Sequence, residues 1–250
     1  MPDRLSYFIC SSMLAGETLV SEAMSITDLA GKPNEYFFHD KGQLSYQNWD
    51  ISDYGTYIKR VYEAASTANN VFGAKLLGGH LKTFLHQLWS ATGGPDNTIT
   101  MRQRFDFIFP NPQFVWITRR NKIRQAALIY WAIQTGQWVW TGETPTETPH
   151  PPDYHYESID HLLQEIIIHE AMLQEFFTEL GSKPFVVVYE DFIEEVENTC
   201  RAVLDFLNID VPADHRFRER KSRVPQIPLL EEWIHTFRQD KQRGWQTKYW

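Results

Sequence analysis

Four short apolar runs decide what this chain can fold into. They lie at residues 7–10 (YFIC), 70–77 (NVFGAKLL), 113–118 (QFVWIT) and 185–189 (FVVVY). Each has the length and the β-branched or aromatic content of a strand buried on both faces. Between them come longer stretches whose apolar residues recur at helical spacing. Tyr57, Val61, Tyr62 and Ala65 share one such face, as do Leu81, Phe84, Leu85 and Leu88, and later Ile123, Ala127, Tyr130 and Trp131 lie with the polar Gln134 on overlapping helical faces. Buried strands alternating with amphipathic helices build βαβ units, so the expected class is α/β: a three-layer, mostly parallel sheet flanked by helices. Residues 158–180 read as one helix with Ser158 as N-cap and Gly181 as C-cap, 190–207 as another, and 229–238 as the last. Residues 142–153 (GETPTETPHPPD) are too rich in Pro and Thr for helix or central strand and read as an exposed loop.

With 250 residues, 42% of them hydrophobic, the chain suits a single domain with a sizeable core. The net charge of −8 argues against a nucleic-acid partner held by general charge, so local arginines must meet any anionic ligand. Cys10 and Cys200 are the only cysteines, which fits a reduced, cytoplasmic setting and no disulfide framework. The opening Met-Pro-Asp-Arg is not read as a signal peptide, and no apolar run approaches the ~20 residues of a membrane span. No HExxH or similar spacing calls for a metal.

In a parallel sheet ligands collect at the carboxyl ends of the strands. That rule gathers residues 11–16, Lys75, residues 119–124 and residues 189–191 on one rim. The first strand runs through a small-residue turn, Ser11-Ser12-Met13-Leu14-Ala15-Gly16, into a helix carrying Thr18, the layout that aims backbone N–H groups at an anion. Neither a Walker pattern nor GxGxxG is present, so a nucleoside triphosphate or dinucleotide is not indicated. Arg119 and Arg124 flank a helix start and suit a phosphate, whereas Arg120 reads as a solvated basic turn. Glu35 follows a Gly-x-Pro turn and precedes three aromatics, a setting that can make a carboxylate a base. Lys75, read as following the second strand, either reaches a ligand or merely closes the strand end.

Taken in order, these stretches resemble the trehalose 2-sulfotransferase family of bacterial sulfotransferases, essentially from end to end. The pieces that carry the resemblance are AGKPNEYFF (residues 30–38), GAKLL (73–77) and RRNKIRQAALIYWAIQTGQW (119–138), with YHYESIDHLL (154–163) and VVYEDF (187–192) in support. The resemblance implies a P-loop-like sulfotransferase fold, and the transfer of a sulfuryl group from 3′-phosphoadenosine 5′-phosphosulfate to a hydroxyl of a small molecule such as a sugar. By the same resemblance Ser11, Ser12, Gly16 and Thr18 hold the phosphosulfate, and Arg119 binds the 3′-phosphate. Glu35 matches the catalytic glutamate; Lys75, placed on the rim by the strand pattern and not by the resemblance, is the second catalytic candidate. Arg220 and Lys221 sit in a basic loop over the nucleotide, and a homodimer is implied. The turn departs from the family's SxRSGSTLL-like pattern: Leu14 stands where the arginine is expected and Glu17 where the second serine is. Arg124 stands where a serine for the 3′-phosphate is expected. These departures leave two further readings open, an enzyme of this fold with another donor or reaction, and a non-catalytic binding protein.

Overall fold

In the computed structural model, which describes residues 5–37, 51, 53–94, 98–141, 151–212, 215, 217, 222 and 224–243, the first apolar run is a central strand. That strand, β1 (Leu5–Ser11), pairs in parallel with β2 (Val71–Leu77) on one side and β3 (Gln113–Thr118) on the other. β3 in turn pairs in parallel with β4 (Phe185–Val188), giving a sheet of order β2-β1-β3-β4. Every strand therefore ends at the same edge, as the sequence requires.

Side-chain alternation along the strands sorts the core into two layers. Phe8, Cys10, Phe72, Ala74 and Phe114 point to one face, where α2 (Tyr54–Ala65), α3 (Gly78–Ala91), α4 (Met101–Ile108) and α6 (Tyr156–Glu179) cover them. This layer is an aromatic cluster centred on Phe8, whose ring lies edge-on to Phe109 at 5.0 Å and to Phe105 at 5.3 Å. Tyr7, Ile9, Val115 and Ile117 point the other way, onto α1 (Glu17–Ser25), α7 (Tyr189–Glu194) and α8 (Val196–Phe206). A third cluster joins α5 (Lys122–Thr135), α6 and α9 (Leu229–Arg243) beside the sheet, with Trp131 and Trp233 rings 5.9 Å apart.

Local chemistry fixes most helix starts. The Asp53 carboxylate accepts the Thr56 N–H at the head of α2, and Thr100 and Gln103 close a capping box on α4. For α6 the cap is His155, whose ring accepts the Ser158 N–H, so the helix begins two residues before the expected Ser158 cap. Its other end stops at Glu179 with Leu180 as C-cap, and Gly181 follows with φ +61. The stretch expected as one helix over 190–207 is two, α7 and α8, broken at Glu195 with φ −129 and ψ 56. Packing of α8 onto the sheet decides that break: Cys200, Val203 and Leu204 are its buried positions.

The open edge of β2 is not left bare. Residues 31–35 run beside it, with the Lys75 N–H donating to the Asn34 carbonyl at 2.8 Å and the Lys32 N–H to the Ala65 carbonyl. Gly31 makes this approach feasible. It has φ +67, and a Cβ there would lie 2.6 Å from the Gly73 nitrogen. The Tyr7 hydroxyl reaches across beneath it to the Ala30 carbonyl at 2.6 Å.

Candidate functional site

The carboxyl edge of the sheet holds two groups of charged residues. The first comes from β2 and the segment along its edge. Lys75 lies inside β2, not after it, and its ammonium donates to Glu35 Oε1 at 2.7 Å. Lys75 is 7% exposed and Glu35 34%, so the lysine is held within the fold while the carboxylate still meets solvent. His80, in the first turn of α3, is near enough to feel the Glu35 charge. Burial, opposed by Glu35 and reinforced by His169, holds its pKa below the ordinary imidazole value.

The second group surrounds the turn after β1. Ser12 is pinned by Gln125 of α5, whose Nε2 donates to Ser12 Oγ at 2.9 Å and to the Met13 carbonyl at 2.7 Å. Ser11 ends β1 fully buried, and its hydroxyl has no hydrogen-bond partner among the described residues. Leu14 takes a left-handed conformation, φ +52, with its side chain packed toward the α5–α9 cluster. Gly16 follows at φ +111, and a Cβ there would fall 2.4 Å from the Tyr189 ring. The turn can thus close only with glycine at that point.

Tyr189 forms the floor beneath Arg119 as well, with the guanidinium 3.7 Å above the ring centre. Arg119 is 4% exposed, and neither its Nε nor its Nη1 has a hydrogen-bond partner among the described residues. Burial pulls its pKa below the ordinary guanidinium value, while Tyr189, Glu190 and Glu17 push the other way. A buried cation with two unused N–H groups is costly unless an anion completes it. Arg119 faces two openings. A cavity of about 50 Å³ is lined by Gly16, Glu17, Thr18, Arg119, Trp138 and Trp140. A second, of about 230 Å³, lies toward the start of α5 and shares Arg119 and Tyr189, adding Asn121 and Arg124.

The neighbouring cations are engaged elsewhere. Arg120 grips Asp191 through both carboxylate oxygens in the open, matching its reading as a solvated residue. Arg124 lines the second cavity but pairs with Glu231 of α9. Glu190 accepts the backbone N–H groups of Arg120 and Asn121 at 3.0 and 3.1 Å. Burial works against its charge, yet those bonds keep its pKa below the usual carboxylate range.

Glu17 is the unexpected member. It is 4% exposed at the first position of α1, where its Oε2 accepts the Gly16 N–H at 3.1 Å. Burial drives its pKa up, Lys75 opposes that and Glu35 adds to it. The same carboxyl is felt by Arg119, so it links the two charged groups of the edge.

Sequence reading therefore brings Ser11, Ser12, Gly16, Thr18, Arg119 and Arg124 to one side of the edge, and Glu35 and Lys75 together on the other. Arg220 and Lys221 lie outside the described residues, as does most of the loop at 142–153. Ser222, close to them in sequence, donates its N–H to Glu22 of α1 at 3.0 Å and lines the first cavity. Gln125 and the Tyr189 ring were not singled out as site residues. A glutamine opening the apolar run Ala126-Ala127-Leu128-Ile129 is the signal the sequence offers for the first.

A family model described as Stf0 sulphotransferase matches residues 6–240. The chain belongs to that family. Membership makes it a transferase, and the Stf0 match covers the turn, Glu35, Lys75, Arg119 and Tyr189. Similar curated proteins are the trehalose 2-sulfotransferases of Mycolicibacterium smegmatis, 23% identical over 95% of this chain and 96% of that one, and of Mycobacterium tuberculosis, 24% identical with the same coverage. Among solved structures, the sulfotransferase domain from the curacin biosynthetic pathway aligns with a TM-score of 0.48 and 15% identity, over 100% of this chain and 94% of that one. Among the described residues, no group of three or more His, Cys, Asp or Glu is placed to hold a metal, and no helix is long and apolar enough to cross a membrane.

Proposed function

We propose that this member of the Stf0 sulphotransferase family moves a sulfuryl group from 3′-phosphoadenosine 5′-phosphosulfate to a hydroxyl of a small acceptor. The observation that carries the reading is Arg119: a buried guanidinium with two unpartnered N–H groups, on the wall of both cavities. The donor set fits a bis-anionic nucleotide. Arg119 would hold phosphate oxygens through Nε and Nη1, the head of α1 offers Gly16 and Thr18, and Arg124 stands at the second cavity. When bound, the donor supplies an activated sulfuryl group and a stable phosphate leaving group.

The chain's own part is positioning and proton transfer. Lys75 holds Glu35 through Oε1, which leaves Oε2 to accept the proton of an acceptor hydroxyl. Because Lys75 sits in the strand and its own N–H is tied to Asn34, the carboxylate is fixed from two sides. Spread negative charge in the transition state would meet fixed donors, not mobile water. The names of the two curated relatives favour a sugar acceptor, and Trp138 and Trp140 on the cavity wall supply apolar faces for one. The buried thiols Cys10 and Cys200 suit a reduced cytoplasm.

A second reading, a donor of different charge or a purely binding role, is favoured by Glu17, since a carboxyl already occupies an amide that an anion would use. Calorimetric titration with adenosine 3′,5′-bisphosphate separates the two. One site with micromolar affinity, lost in Arg119→Ala, is the expected result; absence of heat and of competition by the nucleotide would replace the first reading by the second.

A further inference from the structure

The first turn of α1 holds a contradiction. Its amides, the buried arginine and the cavity all suit an anion, yet the side chain nearest to them is Glu17, itself an acid. The Gly16 N–H is taken by Glu17 Oε2, so the carboxyl is folded back over the start of its own helix. No cation completes an ion pair with it among the described residues: Lys75 is already bonded to Glu35 at 2.7 Å, and the Nε and Nη1 of Arg119 have no partner. The groups facing it are Lys75 from β2, Glu35 from the segment along the β2 edge, Arg119 after β3 and Tyr189 at the head of α7. Two anions cannot share so small and dry a seat with both ionised.

We propose that Glu17 is a proton-linked seat for the donor: the donor's anionic end binds at the head of α1 only as the Glu17 carboxyl takes up one proton and leaves the Gly16 N–H. The balance is simple. One proton comes from solvent, the carboxylate becomes a carboxylic acid, and its O–H then donates to an oxygen of the bound anion. The negative charge that would have repelled the ligand becomes a hydrogen-bond donor to it. Burial raises the carboxyl's pKa already in the unliganded protein, so part of the cost of neutralising it is met by the fold. A role so placed makes Glu17 a residue that sets donor affinity and its pH dependence. The inference rests on reading this cavity as the donor site.

The test is calorimetric titration of the whole protein with adenosine 3′,5′-bisphosphate at pH 8, in two buffers of different ionisation enthalpy. The slope of heat against buffer enthalpy counts protons taken up, and any uptake by the nucleotide itself cancels between wild type and Glu17→Gln. Wild type is expected to take up about one proton more than Glu17→Gln. Its Kd is expected to weaken about tenfold more than the variant's between pH 7 and pH 8, one decade per pH unit for one linked proton. Glu17→Ser serves as a second variant should the amide fail to fold. Equal proton uptake and parallel pH dependence in wild type and variants would overturn the proton link while leaving the donor site standing. Failure of wild type and both variants to bind the nucleotide would overturn the donor reading and this inference together. Loss of binding in both folded variants alone would also overturn it, because a competitor's removal cannot abolish affinity.

Discussion

Replacing Glu35 by Gln tests the proton-transfer step and the ion pair in one substitution. Gln keeps an oxygen that can accept from the Lys75 ammonium, now at 2.7 Å from Glu35, but it carries no charge and cannot take a proton. Loss of a positioned base removes roughly 10²–10⁴ in rate. At about 1.4 kcal/mol per tenfold, that is about 3–5 kcal/mol of transition-state stabilisation. Stability should fall as well, because Lys75 stays 7% exposed with its partner neutralised. Breaking a fully buried pair costs about 3–5 kcal/mol. Glu35 is 34% exposed and Gln retains an acceptor, so about 1–2 kcal/mol is the expected loss here. The double variant Glu35→Gln/Lys75→Met removes the stranded ammonium and should regain most of that stability without regaining turnover. Urea melts of the three proteins give the stabilities, and appearance of adenosine 3′,5′-bisphosphate in the presence of acceptor gives the rates. Nucleotide affinity should stay within about threefold of wild type in Glu35→Gln, since Arg119 and the α1 head are untouched, and should not weaken in the double variant, where loss of the Lys75 charge eases protonation of Glu17. Turnover in Glu35→Gln within tenfold of wild type would refute the assignment of the base. Recovery of turnover in the double variant would refute the claim that Lys75 acts through Glu35.

Two further outcomes follow from the unpaired charges. Arg119→Met should raise unfolding stability by about 1–3 kcal/mol, by removing a buried cation with unused donors, while weakening adenosine 3′,5′-bisphosphate binding at least about 100-fold; a thermal melt and a titration on the same sample check both, and a drop in stability would show the guanidinium to be satisfied. Glu17→Gln should become progressively more stable than wild type as pH rises from the ordinary carboxylate value of about 4.3 toward the raised value of the native group. In that window the native carboxyl holds a proton the unfolded chain has lost, so rising pH favours unfolding of wild type alone, and the gap is constant above it. Urea unfolding from pH 4 to 8 reads the difference directly; a gap independent of pH would mean that Glu17 titrates normally.

The alternation of YFIC, VFGAKLL, QFVWIT and FVVV with helical stretches was enough to place the sheet, its parallel sense and its ligand-bearing edge, because burial on both faces leaves a strand no room for polar alternation. What local pattern missed was decided by contacts between distant residues. The run at residues 70–77 takes in Lys75, so a lysine read as closing the strand end lies inside β2, where the Asn34 carbonyl and β1 both bond to that stretch. Ser158 is the better N-cap by residue type, but the Tyr154–Asp240 bond and the stacking of Tyr156 on Phe237 draw the chain into helix earlier, leaving His155 at the boundary. Glu195 lies in a helix-favouring sequence, and only the docking of α8 on the sheet breaks it. At the site, Glu35 and Arg119 were legible as residue types in a telling place. Their states were not: that one is held by a buried lysine, and the other lies on a tyrosine ring with Nε and Nη1 unused, depends on residues about 40 and 70 positions away in sequence. Glu17 was visible as a misplaced acid, but the amide that it closes over could be found only in three dimensions.

The segment along β2 links two requirements that are usually met separately. An edge strand with unpaired backbone groups invites a strand from another molecule, and proteins that keep such edges open risk association through them. Here the residues that shield the edge, through the Asn34 carbonyl and the close passage of Gly31 over Gly73, also carry Glu35. Under the proposed function, protection of the sheet edge and acid–base chemistry therefore share one segment. A substitution that loosened this cover would expose the sheet to its neighbours and displace the carboxylate paired with Lys75 at the same moment. Under the proposed function, Trp138 and Trp140 on the cavity wall can change without touching that edge.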